Sequence, residues 1–338
     1  MKIKGIVFTQ QRRAELLDVE APVLAPDSVM VKTLVSTVSP GTERANYIGD
    51  PNISIVKGAS VVFPREVGYS SVGIVMAVGE AVKSVSVGDR VCVYWGLHRS
   101  VNVVSESRVV KIEDPSVSDS CAAMAFISTF PMAAIRKTRL EMGESAMVMG
   151  LGLLGMIAVK LLRLAGAMPI VAVDPNPGRR KMALREGADY VFDPFEEDFA
   201  DKVKAVTGGG VNVAIEVTGV GAGFNEALDC MARFGRVALL GCTRNSDFTV
   251  DYYKKIHGPG ITVIGAHTLA RPESESSAGM FTHRDDISAV LRLISGGRLK
   301  LSDIVSETHS PSECGSVFER LAEGKDFPVG LQFDWRAY

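Results

Sequence analysis

Hydrophobic and polar positions change their period along the chain. From residue 1 to about 118, short runs rich in valine and isoleucine recur: Lys2 to Phe8, Ala14 to Val19, Val29 to Thr37, Gly73 to Val78, Arg90 to Tyr94 and Val101 to Ile112. Pro26-Asp27, Ser39-Pro40-Gly41, Gly49-Asp50-Pro51 and Gly88-Asp89 separate them. Short strands punctuated by turn residues predict a small, irregular antiparallel barrel. From Asp119 to Arg136 the spacing becomes helical, and Pro131 is expected to bend or interrupt it, because proline has no amide hydrogen. From 141 to about 267 two periods alternate. Strands are predicted at 145–149, 169–173, 190–192, 212–217, 236–241 and 261–265. Helical stretches at 153–165, 178–186, 198–206 and 222–233 lie between them, and the last two strands are joined by a loop with little helical pattern. Strands with helical crossovers predict a doubly wound parallel sheet of six strands in an α/β fold. A polar loop, Ala270 to Gly279, follows and reads either as a solvated connection or as a lid. Two helices (about 284–295 and 311–323) and two short strands (about 303–308 and 329–333) close the chain.

The densest pattern runs from Ala146 to Asp174. A short apolar strand leads into Gly150-Leu-Gly152-Leu-Leu-Gly155. Leu154, Ile157, Ala158, Leu161, Leu162 and Ala165 then recur at helical spacing, with Lys160 and Arg163 on the other side and Gly166 placed to stop the helix. Ile170 to Val173 form a second strand ending in Asp174, 19 positions after Gly155. Gly150 permits a sharp turn, Gly152 lets a pyrophosphate approach the backbone, and Gly155 lets helix pack on strand. The helix N-terminus offers unpaired N–H groups and partial positive charge to phosphates. Asp174 can accept hydrogen bonds from a ribose diol and would repel a 2′-phosphate, which favours NAD over NADP. Arg179 and Arg180 keep NADP open, because guanidinium groups there could bind that phosphate. The bland alternative is a glycine-rich turn with no dinucleotide.

Composition narrows the function classes. With 338 residues, 46% apolar and 22% charged, the chain can bury two domain cores and is not disordered. A net charge of −2 with no long lysine or arginine cluster gives no reason to expect a nucleic-acid or membrane partner. Cys92, Cys121, Cys230, Cys242 and Cys314 are scattered and form no CxxC pair, which fits free thiols in a reducing cytoplasm. The first residues lack the apolar core of a secretion signal, and Lys160 and Arg163 break the longest greasy stretch, so no membrane span is expected.

The chain resembles the medium-chain dehydrogenase/reductase superfamily, the zinc alcohol dehydrogenase relatives, over nearly its whole length. The resemblance is carried by Val67-Gly68-Tyr69-Ser70-Ser71-Val72-Gly73, Val87-Gly88-Asp89-Arg90-Val91, the glycine loop, Asp174 with Arg179, Glu216-Val217-Thr218-Gly219, and Gly235 to Gly241. It implies a GroES-like substrate domain at 1–140, a Rossmann dinucleotide-binding domain at 141–268, and a return to the first domain at 269–338, with the active site between the domains. It implies pyrophosphate contacts from Gly150, Gly152, Leu153, Leu154 and Gly155, and adenosine ribose contacts from Asp174 and Arg179. Thr218, Gly241 and Cys242 would line the path toward nicotinamide, and Gly265 to His267 would approach its amide. Cys242 also reads as a small apolar spacer and His267 as a plain loop histidine. Ser39-Pro40-Gly41-Thr42-Glu43-Arg44 is similar to the branch containing the bacteriochlorophyllide hydroxyethyl dehydrogenases.

Departures from the family pattern point to a zinc-free member. Pro40 stands in the slot of the first zinc-ligating cysteine, Gly68-Tyr69-Ser70 replaces the Gly-His-Glu motif, and Met124 to Ser128 offer no third ligand. A catalytic zinc needs about three N, S or carboxylate ligands from the protein. The four-cysteine lobe for structural zinc is missing too. No metal is therefore expected. Hydride transfer to a carbonyl then needs protein hydrogen-bond or proton donors at the oxygen. Tyr69 is the leading candidate, or else it fills the space left by metal and ligand. Thr42 either relays the alcohol proton or caps a helix beginning near Glu43. Ser70 and Glu43 are supporting candidates. His98 lies on the loop that replaces the zinc lobe, either at the site or as a surface residue. Polar Ser39, Thr42, Glu43, Tyr69, Ser70 and His98 favour a hydroxylated substrate such as a sugar, polyol or alcohol over a quinone. The expected activity is an NAD-dependent, zinc-free oxidoreductase, cytoplasmic and a homodimer or homotetramer paired through the edge strand near 261–265. An NAD-assisted lyase or epimerase with no net redox, and a non-catalytic dinucleotide sensor, remain open.

Overall fold

The structure is a computed structural model that describes every residue except Ile55, Lys57, Lys325 and Asp326. In chain order the first segment holds strands β1 (Lys2–Gln10), β2 (Arg13–Glu20) and β3 (Ser28–Thr37), helix α1 (Pro40–Tyr47), then β4 (Arg65–Glu66), β5 (Ser70–Val78), β6 (Arg90–Tyr94), β7 (Val101–Ser105) and β8 (Val109–Lys111). Helices α2 (Asp119–Ala122) and α3 (Ala125–Thr138) follow. The middle segment runs β9 (Ala146–Met149), α4 (Leu153–Leu164), β10 (Ile170–Val173), α5 (Pro177–Glu186), β11 (Tyr190–Phe192), α6 (Phe199–Thr207), β12 (Val211–Glu216), α7 (Gly221–Asp229), β13 (Met231–Leu239) and β14 (Thr262–Gly265). Helix α8 (His283–Ser295), β15 (Val305–His309), α9 (Cys314–Glu323) and β16 (Gly330–Asp334) complete the chain. The chain divides into two compact units, Met1–Ile127 with Ile287–Tyr338, and Ser128–Asp286. Both joins fall inside helices, α3 and α8, whereas the resemblance implies boundaries at 140 and 268.

In the first unit one sheet runs β15-β16-β3-β5-β6-β8 with β7 also paired to β3, and a smaller one runs β2-β1-β4. Alternation along β3 buries Val29, Val31 and Val35 while Met30 and Lys32 stay partly exposed, as a strand with one covered face requires. Val29, Val31, Val75, Val91, Val93 and Val109 form one core. A second core collects aromatic rings from distant segments, Phe8, Tyr47, Phe318, Phe333 and Trp335. Phe8 meets Tyr47 and Phe318 edge-on at 5.1 and 4.8 Å between centroids, a geometry favoured by the ring quadrupoles. Helix α1 starts at Pro40, whose fixed φ suits a first helical position. Thr42 therefore lies inside the helix and does not cap it, contrary to the capping alternative; the cap position is Ser39.

In the second unit β11-β10-β9-β12-β13-β14 form one parallel sheet with helical crossovers, the six-stranded doubly wound α/β sheet expected from the strand pattern; with the antiparallel sheets of the first unit it gives the GroES-like and Rossmann pair of domains that the resemblance implies. The order reverses direction between β9 and β12, and ligands of such sheets bind outside the carboxyl ends at that point. Strand β14 is an outer edge, as expected for the segment near 261–265.

Three local expectations need correction. Pro131 sits within an unbroken α3, and the interruption comes earlier, between α2 and α3. Ala125 to Ile135 are buried at every position, so packing outweighs the one backbone hydrogen bond that proline forfeits. Strand β13 begins at Met231, inside the predicted helix 222–233, because Met231 pairs with Val211 across the sheet and tertiary pairing overrides local preference. The loop before β14 contains a π-helical turn, Tyr253–His257. Among the described residues no helix is long and apolar enough to cross a membrane.

Candidate functional site

The second unit builds a cradle from main chain. Gly150 follows β9 with φ +99°, a conformation that L side chains rarely adopt, and its N–H donates to the Val173 carbonyl at 2.8 Å. A Cβ on Gly155 would stand 1.9 Å from the Gly150 oxygen, so no larger residue fits without moving the turn. A Cβ on Gly152 would meet nothing within 4 Å, which leaves an open space at the head of α4. Gly152 is the N-cap, and among the described residues no side chain caps the helix there. The amides of the first turn, Leu153 and Leu154 included, and the positive end of the helix dipole are thus left for an anion. A pyrophosphate fits this arrangement.

Asp174 ends β10 almost fully enclosed. Its Oδ2 accepts the Leu151 N–H and its Oδ1 the Asn176 N–H, both at 2.8 Å. A carboxylate has about four lone-pair directions, so capacity for a ribose hydroxyl remains beside these two bonds. Arg179 Nη1 stands 3.7 Å from Oδ2, whereas Arg180 is engaged with Asp193 at 2.9 Å and the Asp174 carbonyl at 2.7 Å. Of the two guanidinium groups invoked for a 2′-phosphate, Arg180 is held by the shorter contacts, and Arg179 pairs at longer range with Asp174 itself.

The neighbouring strand ends close the cradle. Gly150 lies against Thr218, and Gly219 and Gly241 approach so closely that a Cβ on Gly241 would stand 2.5 Å from the Gly219 nitrogen. Cys242 is an exposed free thiol whose carbonyl lies against Gly219. Gly265 ends β14 in open space, and His267 Nδ1 accepts the Leu269 N–H at 3.2 Å. Burial, with Arg244 assisting, lowers the His267 pKa. Glu216 was quoted in the sequence only as part of a motif. It is fully buried at the end of β12, with Oε1 accepting the Thr218 N–H at 2.7 Å and the Thr218 hydroxyl as well. Its Oε2 has no hydrogen-bond partner among the described residues, and burial raises its pKa. An acid closing an otherwise apolar strand was the signal that could have singled it out.

The polar loop after β14 is anchored at its start. Arg271, with its side chain 4% exposed, donates to Asp286 at 3.2 Å and to the Thr129 carbonyl at 2.8 Å. Arg136 holds the other Asp286 oxygen at 3.0 Å. Of the two readings of this loop, the lid finds no support at Arg271.

The first unit builds its cluster from side chains. Gly68 has φ +103°, and a Cβ there would stand 2.6 Å from the His98 nitrogen. This glycine lets the 95–98 segment close over Val67 to Tyr69, clipped by Trp95 N–H to the Tyr69 carbonyl (2.9 Å) and His98 N–H to the Val67 carbonyl (2.7 Å). The Tyr69 ring packs against Trp95 and Phe126, both at 5.7 Å, and its hydroxyl is bonded to the Ser39 hydroxyl. Thr42 is partly exposed on α1. Ser70 is buried and donates to the Ala123 carbonyl at 2.7 Å, so its hydroxyl is engaged with main chain.

His98 is not a surface residue; it is 1% exposed. Its Nε2 lies 3.0 Å from Glu43 Oε2, and its Nδ1 lies 2.7 Å from the Ser36 hydroxyl. The other Glu43 oxygen accepts the Ser39 N–H at 2.8 Å, and Trp335 Nε1 donates to Ser36 at 2.8 Å. Glu43 and His98 are thus enclosed and bonded to each other, with no face turned to a substrate. Ser36, Ser39 and Trp335 complete this group; the sequence points to Ser39 only as one of several polar residues, and to Ser36 and Trp335 not at all.

The donor set does not fit a catalytic zinc. Pro40 supplies no donor, Tyr69 is bonded to Ser39, and the Ala123 carbonyl beside the third slot already accepts from Thr37 and Ser70. Among the described residues no group of three or more His, Cys, Asp or Glu side chains converges as a metal site would require.

Comparison with known proteins gives consistent matches. Residues 26–123 match the family model "Alcohol dehydrogenase GroES-like domain", and residues 154–283 match "Zinc-binding dehydrogenase". An L-threonine 3-dehydrogenase of Pyrococcus horikoshii is 25% identical over 341 residues, covering 92% of this chain and 93% of that protein. A D-guloside 3-dehydrogenase of Escherichia coli is 29% identical over 292 residues, covering 81% and 83%. The crystal structure of 2R,3R-butanediol dehydrogenase from Bacillus subtilis superimposes with a TM-score of 0.82 at 23% identity, over 98% of this chain and 99% of that one, a likeness of fold.

Proposed function

Because the chain belongs to the medium-chain dehydrogenase/reductase superfamily of zinc-type alcohol dehydrogenase relatives, we propose that it is an NAD(H)-dependent oxidoreductase that works without zinc on a small neutral alcohol, polyol or sugar and its carbonyl partner. Its relatives are alcohol, polyol and threonine dehydrogenases, which supports an oxidoreductase of the NAD(P)-dependent dehydrogenase kind. The observation that carries this reading is Tyr69, standing at one of the family's ligand positions with its hydroxyl bonded to that of Ser39, the neighbour of Pro40 at another, while the glycine cradle and Asp174 are intact.

Gly150, Gly152, Leu153, Leu154 and Gly155 would hold the pyrophosphate, and Asp174 with Arg179 the adenosine ribose. Thr218, Gly241, Cys242, Gly265 and His267 would line the way to the reacting ring. The bound nicotinamide supplies or accepts the hydride. Tyr69 gives its phenolic proton to the carbonyl oxygen during reduction and takes it back during oxidation, which is how a positioned acid lowers the barrier at a developing oxyanion. Thr42, on the exposed side of α1, offers a second hydroxyl to the same oxygen. Glu43 is enclosed by His98 and Ser39, and the rings around Tyr69 are uncharged, which suits a neutral substrate better than an amino acid. Strand β14 is the outer strand of its sheet, an edge suited to pairing with a second copy, which supports a homodimer or homotetramer. The cysteine pattern supports a reducing cytoplasmic setting.

The test is a panel of secondary alcohols, polyols and reducing-end-blocked sugars with NAD and with NADP. NADH formation on a neutral polyol or alcohol is expected, with NAD preferred. Turnover of L-threonine in preference to every neutral alcohol contradicts the substrate class, and no NADH or NADPH binding by fluorescence titration contradicts the whole reading.

A further inference from the structure

The first unit contains a buried polar run whose direction is set by chemistry. An indole N–H can only donate and a carboxylate can only accept. Trp335 Nε1 therefore donates to Ser36 Oγ at 2.8 Å, and the Glu43 carboxylate at the far end accepts. Between them the Ser36 hydroxyl lies 2.7 Å from His98 Nδ1, and His98 Nε2 lies 3.0 Å from Glu43 Oε2. With the Ser36 proton pointing to Nδ1 and the imidazole proton on Nε2, every donor finds one acceptor. Glu43 Oε1 completes the run by accepting the Ser39 N–H at 2.8 Å. Trp335, Ser36, His98 and Glu43 are each at most 1% exposed, so a lost bond cannot be replaced by water. Ser39, at the end of the run, carries the hydroxyl that meets Tyr69.

We propose that Ser39 and Tyr69 act as one hydroxyl pair at the substrate oxygen, and that Trp335, Ser36, His98 and Glu43 are positioning residues that hold Ser39 in place. This rests on the reading of Tyr69 in the preceding section and adds Ser39 to it. In the reductive direction the carbonyl carbon gains the hydride while its oxygen takes the phenolic proton of Tyr69. The phenolate left behind is held by the Ser39 hydroxyl hydrogen until solvent returns a proton, so one hydride and one proton are consumed per alcohol formed. Ser39 thus contributes in the step where the phenol gives up its proton, and His98 contributes only through Ser39.

The experiment is a double-mutant cycle between His98→Leu and Tyr69→Phe, read with the alcohol that the wild type oxidises fastest in the panel. His98→Leu is expected to lower kcat about tenfold or more with KM changing less than about threefold, as loss of a contact made in the transition state requires. In a Tyr69→Phe background the same change should cost less than about twofold, because residues acting through one group are not additive. His98→Gln should recover kcat to within about threefold, since its amide can accept from Ser36 and donate to Glu43. Ser39→Ala removes only the hydroxyl and keeps the N–H that Glu43 accepts, and it carries the same cycle should His98→Leu fail to fold. Additive losses, or wild-type kcat in Ser39→Ala, overturn the proposal while leaving Tyr69 in place. Full activity of Tyr69→Phe overturns the earlier assignment instead. If the wild type oxidises nothing in the panel, the earlier reading fails, and ¹⁵N spectra of the histidine ring then judge the run by itself. A proton on Nε2 with Nδ1 bare supports it, and the opposite tautomer overturns it.

Discussion

The cofactor cradle and the Tyr69 cluster are made of different materials. In the cradle the groups offered to a ligand are main-chain amides at the head of α4, shaped by Gly150, Gly152 and Gly155, with Asp174 bracing the loop through the Leu151 N–H. In the Tyr69 cluster the working groups are hydroxyls, an imidazole and a carboxylate drawn from β3, α1, the turn before β5, the loop after β6 and the end of the chain. A site built from main chain keeps its chemistry through almost any substitution that keeps the glycines. A site built from side chains can change its chemistry when two or three residues change, because each partner was selected by the one beside it. The family's cradle therefore persists here while the set of groups at its metal positions does not.

This contrast can be broken at either end. The largest effect belongs to Gly155→Ala, which would put a carbon 1.9 Å from the Gly150 oxygen. NADH affinity, read by fluorescence titration, is expected to fall about 100-fold or more, close to 3 kcal/mol. Unchanged affinity would show that the loop is not held by main-chain packing. Tyr69→Phe should come next on turnover, lowering kcat by about 10² or more, the usual contribution of a positioned acid, while NADH binding stays as it was. Loss of NADH binding in this variant would mean that the two halves are not separable as described. Asp174→Ala is expected to weaken NAD binding about tenfold and NADP binding less, because it removes a ribose acceptor and a charge that repels phosphate. An unchanged NAD to NADP ratio would remove Asp174 from the ribose.

The effect of a single proton concerns stability. The His283 pKa is pushed down to about 3 by burial and by Arg271. Its folded value lies below the ordinary histidine value, so the unfolded chain binds the extra proton first. The stability contributed by neutral His283 is complete above about pH 6.5 and is lost as pH falls from there toward 3, by at most about 1.4 kcal/mol per pH unit. Urea melts of the wild type and His283→Gln between pH 7 and 4 should diverge in slope. Parallel curves would show that the histidine is reached by solvent.

Most of the sheet unit was legible because its signals are local. The Gly150-to-Gly155 spacing, the β-branched runs and Asp174 each state their role within a few residues. Glu216 escaped because its isolation depends on what packs around β12, and β13 began early at Met231 because its partner Val211 is a tertiary neighbour. The Tyr69 cluster was legible by subtraction. Pro40 and Tyr69 announced missing ligands, but nothing near position 98 in the chain says that its imidazole will be walled in. That outcome needs Gly68 to admit the loop and Trp335, from the last strand's end, to close the far side. The capping alternative for Thr42 falls for a similar reason, since Glu43 reaches back to the Ser39 N–H and the helix starts at Pro40.

On this reading protein hydroxyls, and no metal, manage the substrate oxygen. It is tested most directly by turnover of chelator-treated protein whose zinc content has been measured by elemental analysis. Full turnover is expected with less than about a tenth of a zinc per chain, far short of the one ion that a three-ligand catalytic site would hold. Turnover that vanishes on chelation and returns with one equivalent of zinc would contradict it.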